Sequence, residues 1–470
     1  MSASPPLRQL RGAQALEART QAIGRELFRL TREHHAHLTS LNRWAKQVLA
    51  WCLNDPQLKG RILRLIDVLP SLHSPLEIVR HLREYFPNGQ TPLPPALQVG
   101  VSLSRGGLLT APAMALVVHQ LVEQVARQFI AGATIQEAIA TVQRLATQGA
   151  LVSFDVLGEQ VTSDFEADRY TQRYEALIEE LGRWHRTRSP ASVAGRSGAI
   201  QVSIKPSALS AHFDPWSFDQ SVQQALARLI PIAQLAVRVG ASITLDMEQY
   251  ASRDLTLELA TRLLESQDDT LELGIVIQAY LHDSELVVAE WLEWLSAHRR
   301  RVSVRLVKGA YWDSEVAQAR QHEWEIPVYL EKWQTDAAFE RLTHQLLSSH
   351  PTVRTAIASH NLRSIAHAMA VAETLGLAHD QLEFQLLYGM GDAIQGALVQ
   401  LGYPVRVYTP FGALIPGMAY LVRRILENTA NESFLRQDLW DGASMDELLA
   451  PPRPSSSSGA ARTAGVASHA

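Results

Sequence analysis

Two periodicities divide this 470-residue chain. From about residue 7 to residue 148, apolar residues recur every three or four positions, as in Ile62, Leu65, Ile66 and Leu69, or Leu116, Val117, Leu121 and Val125. That is the spacing of helices with one buried face. From Leu151 onward, short runs rich in branched residues alternate with helix-length amphipathic stretches, the pattern of βα units around a parallel sheet. The runs are 151–155, 201–205, 242–246, 274–278, 303–307, 354–358, 382–386 and 405–408. Helix-length sequence separates most of them and follows the last, so they predict an α/β fold of the (β/α)8 type, a TIM-like barrel, rather than an open sheet. Residues 184–199, rich in Ser, Gly and Arg, are expected to form a loop. The end, from about Pro451, is Pro, Ser, Gly and Ala and cannot supply a core. The expected organisation is an α-helical N-terminal region or arm over 1–148, a barrel over 149–440 and a disordered tail over 441–470.

Composition narrows the class. With 46% apolar residues the chain can bury a large core, and a formal charge of -5 with acids and bases interspersed leaves no basic footprint for nucleic acid. The run His298-Arg299-Arg300-Arg301 is too short to alter that and reads as a solvated helix end. Cys52 is the one cysteine, so an intrachain disulfide or a cysteine zinc cluster is excluded, which fits a reducing compartment. His34, His35 and His37 lack carboxylates at ligand spacing and read as exposed helix residues, and no metal is expected. Neither a signal-peptide core nor an uninterrupted apolar stretch of spanning length is visible, so a cytoplasmic protein is expected, at most peripheral to the inner membrane.

A barrel collects its chemistry at the carboxyl ends of its strands. Asp155 ends the first run, Lys205 the second, Asp246 the third and Gln278 the fourth; Arg305 and Lys308 bracket the end of the fifth, Ser359-His360-Asn361 follows the sixth, and Tyr408 ends the eighth. One polar residue at a strand end is an ordinary rim residue. Such residues at seven of eight strand ends form a pattern. Downstream, residues 420–428 read as a helix on which Tyr420, Arg423, Arg424 and Glu427 share one face. Its two guanidiniums suit a carboxylate or phosphate clamp, and the helix alone also fits a solvated face with an arginine paired to Glu427. Gly389, Gly391 and Gly396 have the wrong spacing for a dinucleotide turn and read as a strand-to-helix connection.

The run Val304-Arg305-Leu306-Val307-Lys308-Gly309-Ala310-Tyr311-Trp312-Asp313, with Phe384-Gln385-Leu386-Leu387-Tyr388-Gly389-Met390-Gly391 and residues 420–428, resembles the proline dehydrogenases, especially the flavin domain of bacterial proline utilisation A proteins. The resemblance covers about 151–434 with the motifs in family order, and residues 61–85 resemble the arm that precedes that domain in one branch. It implies a distorted barrel whose final helix lies over the mouth, with FAD as cofactor. The implied reaction is oxidation of L-proline to 1-pyrroline-5-carboxylate, the first step of proline catabolism to glutamate, with hydride transfer to flavin N5 and electrons passed to a quinone. Residue by residue, it places Lys205, Arg423 and Arg424 on the proline carboxylate, Arg305 at flavin N5, and Asp246 in the active site and at the flavin. It assigns Met247, Gln278, Lys308, Gly309, Ala310, Ser359 and His360 to FAD. Tyr311, Leu387, Tyr408 and Tyr420 would line the proline pocket, with Glu427 holding a cationic neighbour, since a carboxylate beside the substrate carboxylate would repel it. Tyr408 favours proline over hydroxyproline.

Larger relatives in that family carry an aldehyde dehydrogenase domain with a catalytic cysteine. This chain ends at Ala470 and has Cys52 alone, so oxidation of glutamate semialdehyde is expected of a separate or fused dehydrogenase. Asp246 and Glu427 are the only carboxylates that sequence places near the substrate amine, which leaves its proton acceptor open. Two other readings stay in play: another flavin barrel enzyme, such as a hydroxyproline oxidase or a folate reductase, and a binding module that has lost its flavin.

Overall fold

Branched and aromatic residues at every second position build eight strands: β1 (Leu151–Val156), β2 (Ile200–Ile204), β3 (Ser242–Leu245), β4 (Leu273–Gln278), β5 (Val302–Val307), β6 (Val353–Ala358), β7 (Leu382–Leu387) and β8 (Val405–Phe411). The structure, a computed structural model, describes residues 7–37, 74–86, 129–157, 161–187, 198–412 and 445–454, with scattered positions between 60 and 127. All eight strands pair in parallel with their chain neighbours, and β8 closes on β1, where Val152 lies beside Val407 and Phe154 beside Thr409. Each run read from the sequence is a strand, and the eight form the closed (β/α)8 barrel that the spacing predicts. The largest boundary change is at β8, which runs on to Phe411, so Tyr408 lies within the strand and not at its end.

Helices wrap the barrel. Helix α3 (Ile135–Thr147) leads into β1; α4 (Asp164–Arg186), α5 (Phe218–Val239), α6 (Arg253–Ser266) and α7 (Ser284–Ala297) follow β1 to β4 in turn. Both α8 (Trp312–Gln321) and α9 (Lys332–Ser348) follow β5, and α10 (Leu362–Thr374) and α11 (Asp392–Gln400) follow β6 and β7. Local chemistry sets their ends: Ser163 accepts from the Glu166 amide to start α4, and Gly240 takes φ 73° to end α5. Helix α4 extends three residues into the stretch expected to be a loop, because Trp184 continues the apolar stripe of Leu177, Ile178 and Leu181 and is buried with them. Alternate strand residues Val152, Phe154, Val202, Ile204, Val304, Leu306, Phe384 and Leu386 are buried in the apolar layer between barrel and helices.

The N-terminal region contributes α1 (Leu7–His37) and α2 (Pro75–Tyr85). Helix α1 packs on α10 and α11, burying Leu27, Phe28 and Leu30, and His34 is part-buried with its Nε2 2.9 Å from Gln400 Oε1 rather than exposed. The side chains of His35 and His37 lie outside the described residues, as do Cys52 and the whole helix expected at 420–428. Among the described residues there is no helix long and apolar enough to cross a membrane, and no cluster of metal-ligating side chains.

Residues 445–450 depart from the expected tail. Met445–Leu448 form one helical turn, α12, and Leu449 is fully buried against Gly24 of α1. The Leu449 carbonyl accepts from Gln21 Nε2 at 2.5 Å and from Arg363 Nη1 at 2.8 Å. Arg363 also binds Glu17 at 2.8 Å and Glu340 at 2.8 Å, so one guanidinium joins α1, α9, α10 and the C-terminal segment. Composition could not show this, because a single leucine and a backbone carbonyl carry the attachment. Arg363→Met should lower stability by roughly 1–3 kcal/mol, because it leaves the part-buried Glu17 and Glu340 carboxylates and the Leu449 carbonyl without their shared donor. Chemical denaturation checks it, and an unchanged midpoint would remove Arg363 from the attachment.

Candidate functional site

The second face of the same strands is polar. Ser153 and Asp155 of β1, Gln201 and Ser203 of β2, Arg305 of β5, Glu383 and Gln385 of β7, and Arg406 and Tyr408 of β8 alternate with the apolar residues that pack on the helices. In a strand, such alternation puts one set on each face. Arg305 shows which face is which, because it bonds to β1, β2, β7 and the residue after β3, partners that only the barrel interior brings together. Its Nη1 donates to Asp246 Oδ1 at 2.7 Å and its Nε to Gln385 Oε1 at 2.5 Å. Its Nη2 lies 3.0 Å from Ser203 Oγ, 3.1 Å from Ser153 Oγ and 3.2 Å from Gln201 Oε1.

Asp246 is the hub at the barrel mouth. Besides Arg305, it takes the Tyr408 hydroxyl at 2.7 Å on Oδ2, and Lys205 Nζ lies 3.9 Å from that oxygen. The Tyr408 ring lies 5.1 Å from the Arg305 guanidinium, within cation–π range. Lys205 Nζ pairs with Asp155, whose side chain is 1% exposed. Burial works against the Lys205 ammonium, but Asp155 first and Asp246 second more than offset it, so its pKa lies above the ordinary lysine value and the side chain is charged. Tyr174, fully buried, accepts the Lys205 backbone N–H at 3.2 Å, and burial holds its phenol neutral. Sequence placed Lys205, Asp246, Arg305 and Tyr408 at the mouth separately; the fold joins them in one bonded group.

Around this group lie the other expected residues. Gln278 ends β4, donates to the Glu248 carbonyl at 3.1 Å, and leaves its buried Oε1 with no partner among the described residues. Met247 is buried beside it. Gly309 has φ 134°, and a Cβ there would lie 2.5 Å from the Tyr280 ring, so only glycine lets the chain turn between Lys308 and Ala310. Tyr311 follows as the N-cap of α8. Lys308 pairs with Asp336 of α9, which also takes Lys332 at 2.6 Å; burial raises the Asp336 pKa, but the two lysines hold it below the carboxylate range. Ser359 Oγ accepts the Asn361 N–H at 3.1 Å. His360 Nε2 accepts the Leu387 N–H at 3.1 Å. Tyr420, Arg423, Arg424 and Glu427 lie outside the described residues.

Two carboxylates were missed as site members. Sequence position alone marks Asp155 as a strand-end residue. Glu248 was not singled out; both of its oxygens are held by Ser207, at 2.7 Å from the hydroxyl and 3.1 Å from the N–H, and burial pushes its pKa up. Period-two polar residues inside apolar strands, Ser-x-Asp in β1 and Gln-x-Ser in β2, are the signal that would have exposed the polar interior.

A family model described as proline dehydrogenase matches residues 138–437, and one described as the proline utilization A N-terminal domain matches residues 17–129. The chain is 32% identical over 336 residues to the bifunctional protein PutA of Klebsiella aerogenes, covering 69% of this chain and 25% of that protein. It therefore spans about a quarter of that relative's length. Proline dehydrogenase of Deinococcus radiodurans is 31% identical over 331 residues, which is 68% of this chain and 94% of that protein. Among solved structures, proline utilization A from Bdellovibrio bacteriovorus inactivated by N-propargylglycine superposes with a TM-score of 0.82 at 35% identity, covering 93% of this chain and 44% of that one.

The Lys205 pair has a defined pH signature. Its folded-state pKa exceeds the unfolded value, so its contribution to stability is complete below about pH 10, the ordinary lysine range, and is lost as pH rises through the folded value. In Asp155→Asn, burial opposes the ammonium with Asp246 left as the main group to offset it. Lys205 should then titrate at lower pH, as read by NMR of the ¹³C-methylated lysine. An unshifted titration would show that Asp155 does not hold the charge.

Proposed function

We propose that this chain, which belongs to the proline dehydrogenase family of flavoenzymes, oxidises L-proline to 1-pyrroline-5-carboxylate with FAD as cofactor and a quinone as final acceptor. The observation that carries this reading is the family match over 138–437, which spans every strand of the barrel and the polar group at its mouth. FAD suits the residues present. Gln278 Oε1, unpartnered among the described residues, can accept an imide N–H, and Lys308 beside the tight turn at Gly309 can face a phosphate. Ala310 and Ser359 flank Gly309 and His360 in sequence, and Met247 lies beside Gln278. When bound, FAD supplies the hydride acceptor.

Charge counting then explains the substrate site. Lys205 and Arg305 are matched by Asp155 and Asp246, two cations against two anions, and Glu248 adds no positive charge, so this bonded group has no surplus cation. An added substrate carboxylate needs further positive charge, which Arg423 and Arg424 would bring, with Glu427 steadying one of them. Lys205 would orient the carboxylate, and Tyr408, fixed through its hydroxyl on Asp246, would line the pyrrolidine pocket with Leu387, Tyr311 and Tyr420. Arg305 places fixed positive charge where electrons arrive, and its partners prevent it from rotating away. The relatives' names supply proline as substrate; glutamate-semialdehyde oxidation belongs to a separate or fused dehydrogenase.

Purified protein should be yellow, and anaerobic L-proline should bleach its flavin spectrum, with a soluble quinone restoring the colour faster than oxygen. Bleaching by hydroxyproline or a folate instead would reassign the substrate, and a colourless protein that takes up no FAD would favour a binding module. Arg424→Met should weaken proline binding by roughly 2–5 kcal/mol, seen as a raised KM. An equal KM in variant and parent would remove Arg424 from the clamp.

A further inference from the structure

The polar interior does not stop at Arg305. Gln385, which accepts the Arg305 Nε–H at 2.5 Å, donates its own Nε2 to Glu383 Oε1 at 2.7 Å. Glu383 in turn forms a two-point pair with Arg406, 2.9 Å from Nε and 3.0 Å from Nη2. Arg406 is anchored on backbone, donating to the carbonyls of Val152 at 3.0 Å and Gly198 at 2.8 Å. A chain of charge-assisted bonds therefore runs along the barrel interior, from the backbone beside β1 to the guanidinium at the mouth.

Direction is built into this chain. An amide can face either way, but a carboxylate accepts only, so Glu383 obliges Gln385 to turn its NH2 toward it and its carbonyl toward Arg305. Glu383 is itself held by two N–H groups of a guanidinium that cannot be deprotonated. Arg305 thus receives a neutral acceptor of fixed orientation, and keeps one full positive charge shared only with Asp246. A carboxylate at 385 would cancel that charge, and an apolar residue would leave Nε–H buried without a partner.

We infer that Gln385, oriented by Glu383 and Arg406, is a positioning residue that fixes the direction and net charge of Arg305 and through it raises the reduction potential of the bound flavin. The inference rests on the flavin reading above. Its test uses the full-length flavin-loaded protein with two substitutions. In Gln385→Glu, the potential at pH 8 should fall by at least about 30 mV, a tenfold change in the two-electron equilibrium. It should recover toward the parent value at pH 5.5, because the protonated acid donates to Glu383 and accepts from Arg305 as the amide does. In Gln385→Met, kcat should fall at least tenfold with KM little changed, and a crystal structure should show Arg305 turned from Asp246. A residue that merely packs would move neither the potential nor its pH dependence. Potentials of Gln385→Glu equal to the parent's at both pH values would overturn the inference, as would an undisplaced Arg305 in Gln385→Met. Should the parent protein bind no flavin, the functional reading fails by itself, and the position of Arg305 in the variant crystal still decides the relay.

Discussion

Everything at the centre of this barrel answers to one buried charge. Arg305 is 6% exposed, and an unpaired guanidinium in such a place would cost several kcal/mol. Asp246 supplies the counter-charge, Gln385 accepts from Nε, and Ser153, Ser203 and Gln201 supply acceptors for Nη2. Those acceptors come from β1, β2 and β7, so satisfying one side chain constrains three strands and the turn after β3. Barrels of this architecture ordinarily fill their interior with branched apolar layers. Here the interior is a hydrogen-bonded network, and apolar packing is shifted to the layer between strands and helices.

That division assigns stability and chemistry to different surfaces of the same strands. Phe154, Val202, Ile204, Leu306 and Phe384 are buried against the helices and account for cohesion through area removed from water. Their neighbours one position away point inward and gain little net stability, since a buried ion pair roughly cancels its own desolvation. What they gain is definition. With Asp246 bound to Arg305 on one oxygen and Tyr408 on the other, neither the carboxylate nor the phenol can rotate without breaking a buried bond. A site that orients a small rigid ring needs that immobility more than it needs strength.

The same alternation decides what a reader of the sequence can see. Branched residues at every second position announce all eight strands, and strand ends announce Lys205, Asp246 and Gln278, because both signals are local. Tyr408 reads as a strand end but sits inside its strand, and Arg305 already falls within the fifth run, so neither is hidden. The partners of Arg305 are less visible. A serine or glutamine within an apolar run is ambiguous until closure of the barrel shows which face is interior, and closure pairs residues as far apart as Ser153 and Tyr408. The attachment of Leu449 to α1 is hidden for a related reason, since its bonds run through a backbone carbonyl that composition does not register.

Polar barrels carry a cost in tolerance. An apolar core accepts volume-conserving exchanges for under about 1.5 kcal/mol, whereas a network in which each donor faces one acceptor accepts few. Glu383 illustrates it: removing its carboxylate would strand Arg406 at the base and free Gln385 to turn, so one change would reach both ends of the interior. Strands β7 and β8 carry these residues at adjacent register positions, Gln385 beside Arg406 and Leu387 beside Tyr408. The pocket wall and the network that orients Arg305 are therefore neighbours on a single strand pair. A shift of one residue in that register would turn Glu383, Gln385 and Leu387 outward together, which ties the geometry of the mouth to the pairing of two strands.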